Sequence, residues 1–122
     1  MQSHRCECTV TTPGALEFVD VTDDVTEALA TSHVLGGHVT VTAPPGCSII
    51  VNEFESGLLS DLKRTMLDLQ GQANGSRPKI GSGSVVLPAV DGRLRLGRWQ
   101  RLLLIELEQP SRRSVGVQVV GE

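Results

Sequence analysis

The apolar and polar positions of this chain fall into runs with two periods, and each run predicts an element. An extended run begins near Cys6 and continues through residues 9–12, and Pro13-Gly14 turns it. Leu16, Phe18 and Val21 make a short extended piece. Thr22 reads as a helix N-cap, with Asp23 and Asp24 in a first turn where acids favour the helix dipole. Val25, Ala28 and Leu29 form the apolar stripe of that helix, and Gly36-Gly37 is expected to end it. His38-Val-Thr-Val-Thr-Ala43 then alternates with period two. Val39, Val41 and Ala43 face one way and His38, Thr40 and Thr42 the other. Pro44-Pro45-Gly46 interrupts, because neither proline can donate to a sheet ladder. Residues 47–51 are apolar on both faces except at Ser48, the pattern of a central strand covered on both sides.

Asn52 reads as the cap of a second, longer helix. Phe54, Leu58, Leu62, Met66 and Leu69 recur at helical steps, with Leu59 beside them, as far as Gln70-Gly71. Residues 71–84 are rich in Gly, Ser, Asn and Gln and predict a loop. A meander follows. Val85-Val-Leu87 predicts a short strand before Pro88, and Asp91-Gly92 is a strong two-residue hairpin signal. Leu94 and Leu96 alternate with arginines, residues 102–107 predict a buried strand, and Val115, Val117 and Val119 alternate on a last one. The expected class is α+β, an antiparallel sandwich-like sheet with two helices packed on it. No internal repeat or boundary divides residues 1–122, so one domain is expected.

Composition narrows the functional classes. Fifteen valines and nine threonines in 122 residues favour strands. A net charge of −3 argues against nucleic acid drawn by bulk charge, and three aromatics are too few for a base-stacking platform. No apolar run approaches the roughly 20 residues of a membrane span, so no membrane partner is expected. Met1-Gln-Ser-His-Arg5 leads into no apolar stretch, and three cysteines is an odd count; together these predict a cytoplasmic protein. His4, Cys6 and Cys8 share one face of a strand. They form either a three-ligand metal patch or, more simply, two small hydrophobes on the buried face of an edge strand beside a histidine. Gly81-Ser-Gly-Ser84 lacks the Gly-Lys-Ser/Thr ending of a phosphate loop and precedes a strand, which excludes that reading. Cys47 and Ser48 have no histidine that can be placed beside them as a base.

Several blocks together resemble the YjbQ-like family. They are Phe18-Val-Asp-Val-Thr22 with Val25, and Asn52-Glu53 followed by Leu58-Leu-Ser-Asp61. The third is Gly92-Arg-Leu-Arg-Leu-Gly-Arg-Trp99-Gln100 with Glu106 beyond. The last are Pro110-Ser-Arg-Arg113 and Val117-Gln-Val-Val-Gly-Glu122. The resemblance implies a homotrimer with pockets between subunits and a weak thiamine-phosphate synthase activity, which joins a pyrimidine diphosphate to a thiazole phosphate. It also implies a histidine cluster, and here the chain departs. Pro44, Pro45 and Gly46 stand where the family carries a His-Thr-Thr or His-Thr-Ser motif. The segment Gln72-Ala-Asn-Gly-Ser-Arg77-Pro-Lys79 is short and contains no histidine. His33 and His38 do not fall on the motif positions. An imidazole binds a metal, moves a proton near neutral pH or holds a phosphate oxygen, and Pro and Gly do none of these. No metal site and no cofactor is therefore predicted, and no catalytic residue is assigned.

The remaining candidates for a ligand pocket are Asn52, Glu53, Trp99, Gln100, Arg112 and Arg113, facing a phosphorylated small molecule. Each has a plainer reading. Asn52 and Glu53 serve a helix N-terminus, and Asp61 is either a further pocket carboxylate or a solvated face residue. Trp99 fills core or a subunit contact. Arg112 and Arg113 clamp a phosphate or make an ion pair. Arg77 and Lys79 either add positive charge at a pocket mouth or are solvated.

Overall fold

The computed structural model describes residues 1–72 and 80–122. Ten elements follow one another: β1 (Gln2–Thr11), β2 (Phe18–Asp20), α1 (Thr22–Ser32), β3 (Gly37–Thr42), β4 (Cys47–Glu53), α2 (Ser56–Gln72), β5 (Ser84–Val90), β6 (Arg93–Leu94), β7 (Gln100–Glu106) and β8 (Arg112–Gly121). They build a five-stranded sheet, β1-β8-β3-β5-β6, and a three-stranded sheet, β2-β7-β4. Every pairing is antiparallel, which confirms the α+β class and the sandwich-like arrangement.

The period-two valines set the five-stranded sheet. Val39 and Val41 of β3 lie in register with Val119 and Val117 of β8, and all four are buried. They meet Val25 and Leu29 of α1 and Leu102 and Leu104 of β7 in one core. Leu103 and Ile105 alternate to the opposite face of β7 and are equally buried. The second helix, α2, is the element left to cover that face. Its Met66 is buried, and its Lys63 bonds Glu17 at 2.6 Å, just before β2. Phe18, Phe54 and Leu59 line one shared cleft there.

Several local expectations are corrected. Thr22 is the first residue of α1 rather than its cap. Asp20 Oδ1 accepts from the Thr22 backbone N–H (3.0 Å) and from its hydroxyl (2.6 Å), because the carboxylate two residues upstream reaches further than the Thr22 hydroxyl can. The helix ends four residues before Gly36, on His33 in the left-handed conformation (φ 60°), whose N–H bonds Ala30 O. Asn52 lies within β4 and does not cap α2. Glu55 does, accepting from the N–H groups of Gly57 (2.9 Å) and Leu58 (2.8 Å), which holds its carboxyl below the ordinary value. Phe54 therefore precedes the helix, which begins at Ser56. The central strand of the small sheet is β7, and β4 is its edge. That edge is covered at one point by a bridge between Ile49 and Ser82, and Cys47, Ser48 and Ile49 are buried.

Pro88 sits inside β5 rather than after it, opposite His38. Its carbonyl accepts from Arg95 N, so its missing N–H faces the outer side of the strand and removes no bond to β3. The Asp91-Gly92 hairpin forms as read. Both residues have positive φ (53° and 76°), as a two-residue turn of this hand requires. Arg77 and Lys79 lie outside the described residues.

The tightest backbone crossing is where Gly37 of β3 meets Gly121 of β8. A Cβ on Gly37 would lie 2.0 Å from Val120 O and 2.7 Å from Gly121 Cα. Both are backbone atoms that cannot rotate away. Gly37→Ala is expected to lower stability by about 3 kcal/mol, by forcing β3 away from β8. Urea titration checks this: the midpoint should fall with an unchanged slope.

Candidate functional site

The richest polar cluster gathers at one end of β7, where the two sheets close on each other. Glu106 follows the apolar run 102–105 at the end of β7 and is fully buried. Arg113, at the start of β8, grips it with a two-pronged contact: Nε to Oε1 at 2.8 Å and an Nη2 bond to Oε2 at 2.7 Å. The Thr12 hydroxyl donates to Oε1 at 2.6 Å, and the Glu108 N–H donates to Oε2 at 3.1 Å. The Cys47 thiol donates to Oε2 at 3.9 Å. Burial pushes the Glu106 carboxyl up, but the Arg113 fork, the Thr12 hydroxyl and the Glu108 N–H outweigh it and hold the value at about 2. Burial and the Glu106 charge push the Cys47 thiol up to about 11, so it is no thiolate nucleophile at neutral pH.

The Pro44-Pro45-Gly46 turn packs against this cluster. Arg113 donates to Pro45 O at 3.3 Å. Gly46 has φ 87°, and a Cβ there would meet Arg113 Nη2 at 2.9 Å and Glu108 Oε2 at 3.0 Å. The turn, Cys47, Leu107 and Glu108 line a cleft of about 430 Å³, within the range of small-ligand pockets. The positions at which the resemblance implies a histidine motif thus border a buried carboxylate–guanidinium pair.

The other pocket candidates lie elsewhere. Glu53 pairs with Gln100 across the far end of β4 and β7, and Asn52 pairs with Arg101 beside them. Six residues of strand separate Gln100 from Glu106, about 20 Å. Within one chain, Asn52, Glu53, Trp99 and Gln100 therefore form one group, and Arg112 and Arg113 another. Asn52 Oδ1 accepts from the Glu53 N–H, and Gln100 closes a turn by accepting from the Gly97 N–H. Trp99 is 66% exposed, with the Arg98 guanidinium over its ring at 4.9 Å. Arg112 is exposed on β8, and Asp61 faces solvent near Arg64. His33 and His38 are exposed.

Two functional-looking residues are not among the pocket candidates read from sequence. Glu106 could have been marked as a lone carboxylate at the end of an apolar run. Arg101 bonds Asp20 (2.7 Å) and Asp23 (3.0 Å), tying β7 to the start of α1, and no local signal points to that. The three-ligand patch of His4, Cys6 and Cys8 is not assembled. Among the described residues no group of three or more His, Cys, Asp or Glu side chains is placed to hold an ion. Cys6 is exposed and Cys8 half-buried, so the buried-face reading holds only in part, because β1 is an edge strand that α1 covers incompletely.

This fold has known relatives. The family described as UPF0047 protein YjbQ-like matches residues 77–122. A UPF0047 protein from Archaeoglobus fulgidus is 32% identical over 93% of this chain and 99% of its own length. One from Methanothermobacter thermautotrophicus is 29% identical over 100% and 95%. A hypothetical protein from Aeropyrum pernix K1 superposes with a TM-score of 0.86 at 31% identity, over 98% of this chain and 99% of that one. A YbjQ-like protein of unknown function from Sulfolobus solfataricus P2 shares the fold, with a TM-score of 0.88 over 99% of each chain at 24% identity. The chain is an α+β protein with a buried carboxylate–guanidinium pair joining its two sheets, and it belongs to the YjbQ-like UPF0047 family. Among the described residues no helix is long and apolar enough to cross a membrane.

Proposed function

We propose that this chain is a divergent YjbQ-like protein that has lost the family's histidine-based chemistry and acts as a non-catalytic or ligand-binding homotrimer. The observation that carries this reading is the Pro44-Pro45-Gly46 turn. It borders the Glu106–Arg113 pair with side chains that neither ligate, move a proton nor bind phosphate. Arg113 is already committed to Glu106, which supports a structural rather than a phosphate-clamping role. Exposed Phe54, Leu58, Leu67 and Trp99 are surfaces that neighbouring subunits would cover. Subunit assembly would also be the way to bring the Gln100 end of one chain near the Arg113 end of another. The odd cysteine count supports a cytoplasmic location.

The alternative is a weak thiamine-phosphate synthase. The cleft of about 430 Å³ beside Cys47 and Glu108 favours it, being large enough for a small phosphorylated ligand. One assay separates the two. The purified protein is given both phosphorylated precursors, with and without divalent metal, beside a histidine-bearing relative. No thiamine phosphate from this chain and turnover by the relative is the expected result. Turnover matching the relative would overturn the reading. Light scattering should give the mass of about three chains; a stable monomer would overturn the assembly.

A further inference from the structure

A second cleft, of about 380 Å³, runs between β1 and α1, remote from Glu106 in the fold, with His4, Cys6, Cys8, Asp24 and Glu27 among its lining residues. Cys6 and Cys8 are two residues apart on one strand and so face the same side. The register places them opposite Val117 and Val115 of β8, on the side that α1 partly covers. Cys8 also donates to Asp24 O of α1 at 3.9 Å.

The strand decides what such a pair can do. The ladder between β1 and β8 runs unbroken from Gln2 to Thr11 and keeps β1 extended. Residues two apart in an extended strand have Cα atoms about 6.8 Å apart, the upper limit for a disulfide. Closing a disulfide would bend β1 away from β8. An ion seated between the two sulfurs needs no such bend. Asp24 and Glu27 line the same cleft, and their carboxylates favour a cation there over a bare pair of thiolates. His4 is already bonded to Gln2 at 3.0 Å, and among the described residues no third ligand is in place.

We propose that Cys6 and Cys8 form a two-coordinate site for a soft, thiophilic monovalent cation of the copper(I) kind. Two S–H bonds break, two sulfur–metal bonds form, and both protons leave to solvent. The metal is not oxidised or reduced. The bound unit carries one negative charge instead of the two of a bare dithiolate beside Asp24 and Glu27.

The test is an anaerobic titration of the whole protein with copper(I) held by a coloured chelator. About one equivalent should transfer per chain, with release of about two protons. Cys6→Ser and Cys8→Ser should each weaken binding by more than about 100-fold, since even changes outside the ligand set weaken metal sites by roughly 10–100-fold. Cys47→Ala should bind as the parent does. Circular dichroism checks that each variant keeps the parent's fold. Equal binding by the Cys6→Ser/Cys8→Ser double variant would overturn the site. So would about half an equivalent per chain with dimer formation, which places the ion between chains. Intramolecular disulfide formation with glutathione disulfide, without retention of copper(I), would also overturn it.

Discussion

Arg113→Ala is expected to lower stability by about 3–5 kcal/mol, because it leaves the Glu106 carboxylate buried without its partner. The guanidinium supplies two of the four hydrogen bonds that the carboxylate receives from nitrogen and hydroxyl donors. The Thr12 hydroxyl and the Glu108 N–H cannot neutralise its charge. A phosphate-clamping arginine on the surface would behave differently, with weaker ligand binding and unchanged folding. Thermal unfolding separates these, with a fall in Tm of roughly 10 °C or more for the structural role. Glu106→Leu in the Arg113→Ala background removes the orphaned charge and should recover most of the loss. No recovery would mean that Arg113 acts through its other contacts, with Pro45 O and the Glu108 carboxylate, rather than through Glu106.

Acid should destabilise the fold through the same carboxylate. Glu106 has an ordinary value of 4.5 and about 2 in the folded chain. The folded value lies below the unfolded one, so its contribution is complete above pH 4.5 and disappears as pH falls toward 2. The difference corresponds to about 3 kcal/mol. Asp20 adds to it with the same sign. Burial raises its carboxyl, but Thr22 and Arg101 bring it below the ordinary value. Urea unfolding at pH values from 2 to 6 should show the rise in stability, and Arg113→Ala should flatten it. An equally steep rise in that variant would assign the acid sensitivity to other carboxylates.

Much of the architecture was legible because it rests on local chemistry. Alternating valines can bury one face only as strands, and β3 and β8 formed where they alternate. Asp91-Gly92 tolerates the positive φ that its turn demands. Val25 and Leu29 placed α1 on the core. Helix ends were less legible. A cap depends on which side chain reaches the free N–H groups, and Asp20 and Glu55 reach them from outside the positions that spacing favours. The exposed apolar residues of α2 were misleading in another way. Their spacing identifies a helix but not what lies against each residue, and only Met66 is fully buried among them.

The candidate site divides along the same line. Pro44, Pro45 and Gly46 are absences of chemistry, and the residue types alone establish that. The role of Arg113 is not a property of its neighbours in the chain. Glu106 lies seven residues away on another strand and Thr12 lies ninety-four residues from Glu106; only the closure of two sheets brings the three together. Sequence by itself determined the elements and the missing imidazoles, because dihedral preference, periodicity and side-chain type are local. Tertiary structure decided which strand is central, which carboxylate is buried and which arginine neutralises it. Burial and charge pairing are set by distances between segments that the order of residues does not contain.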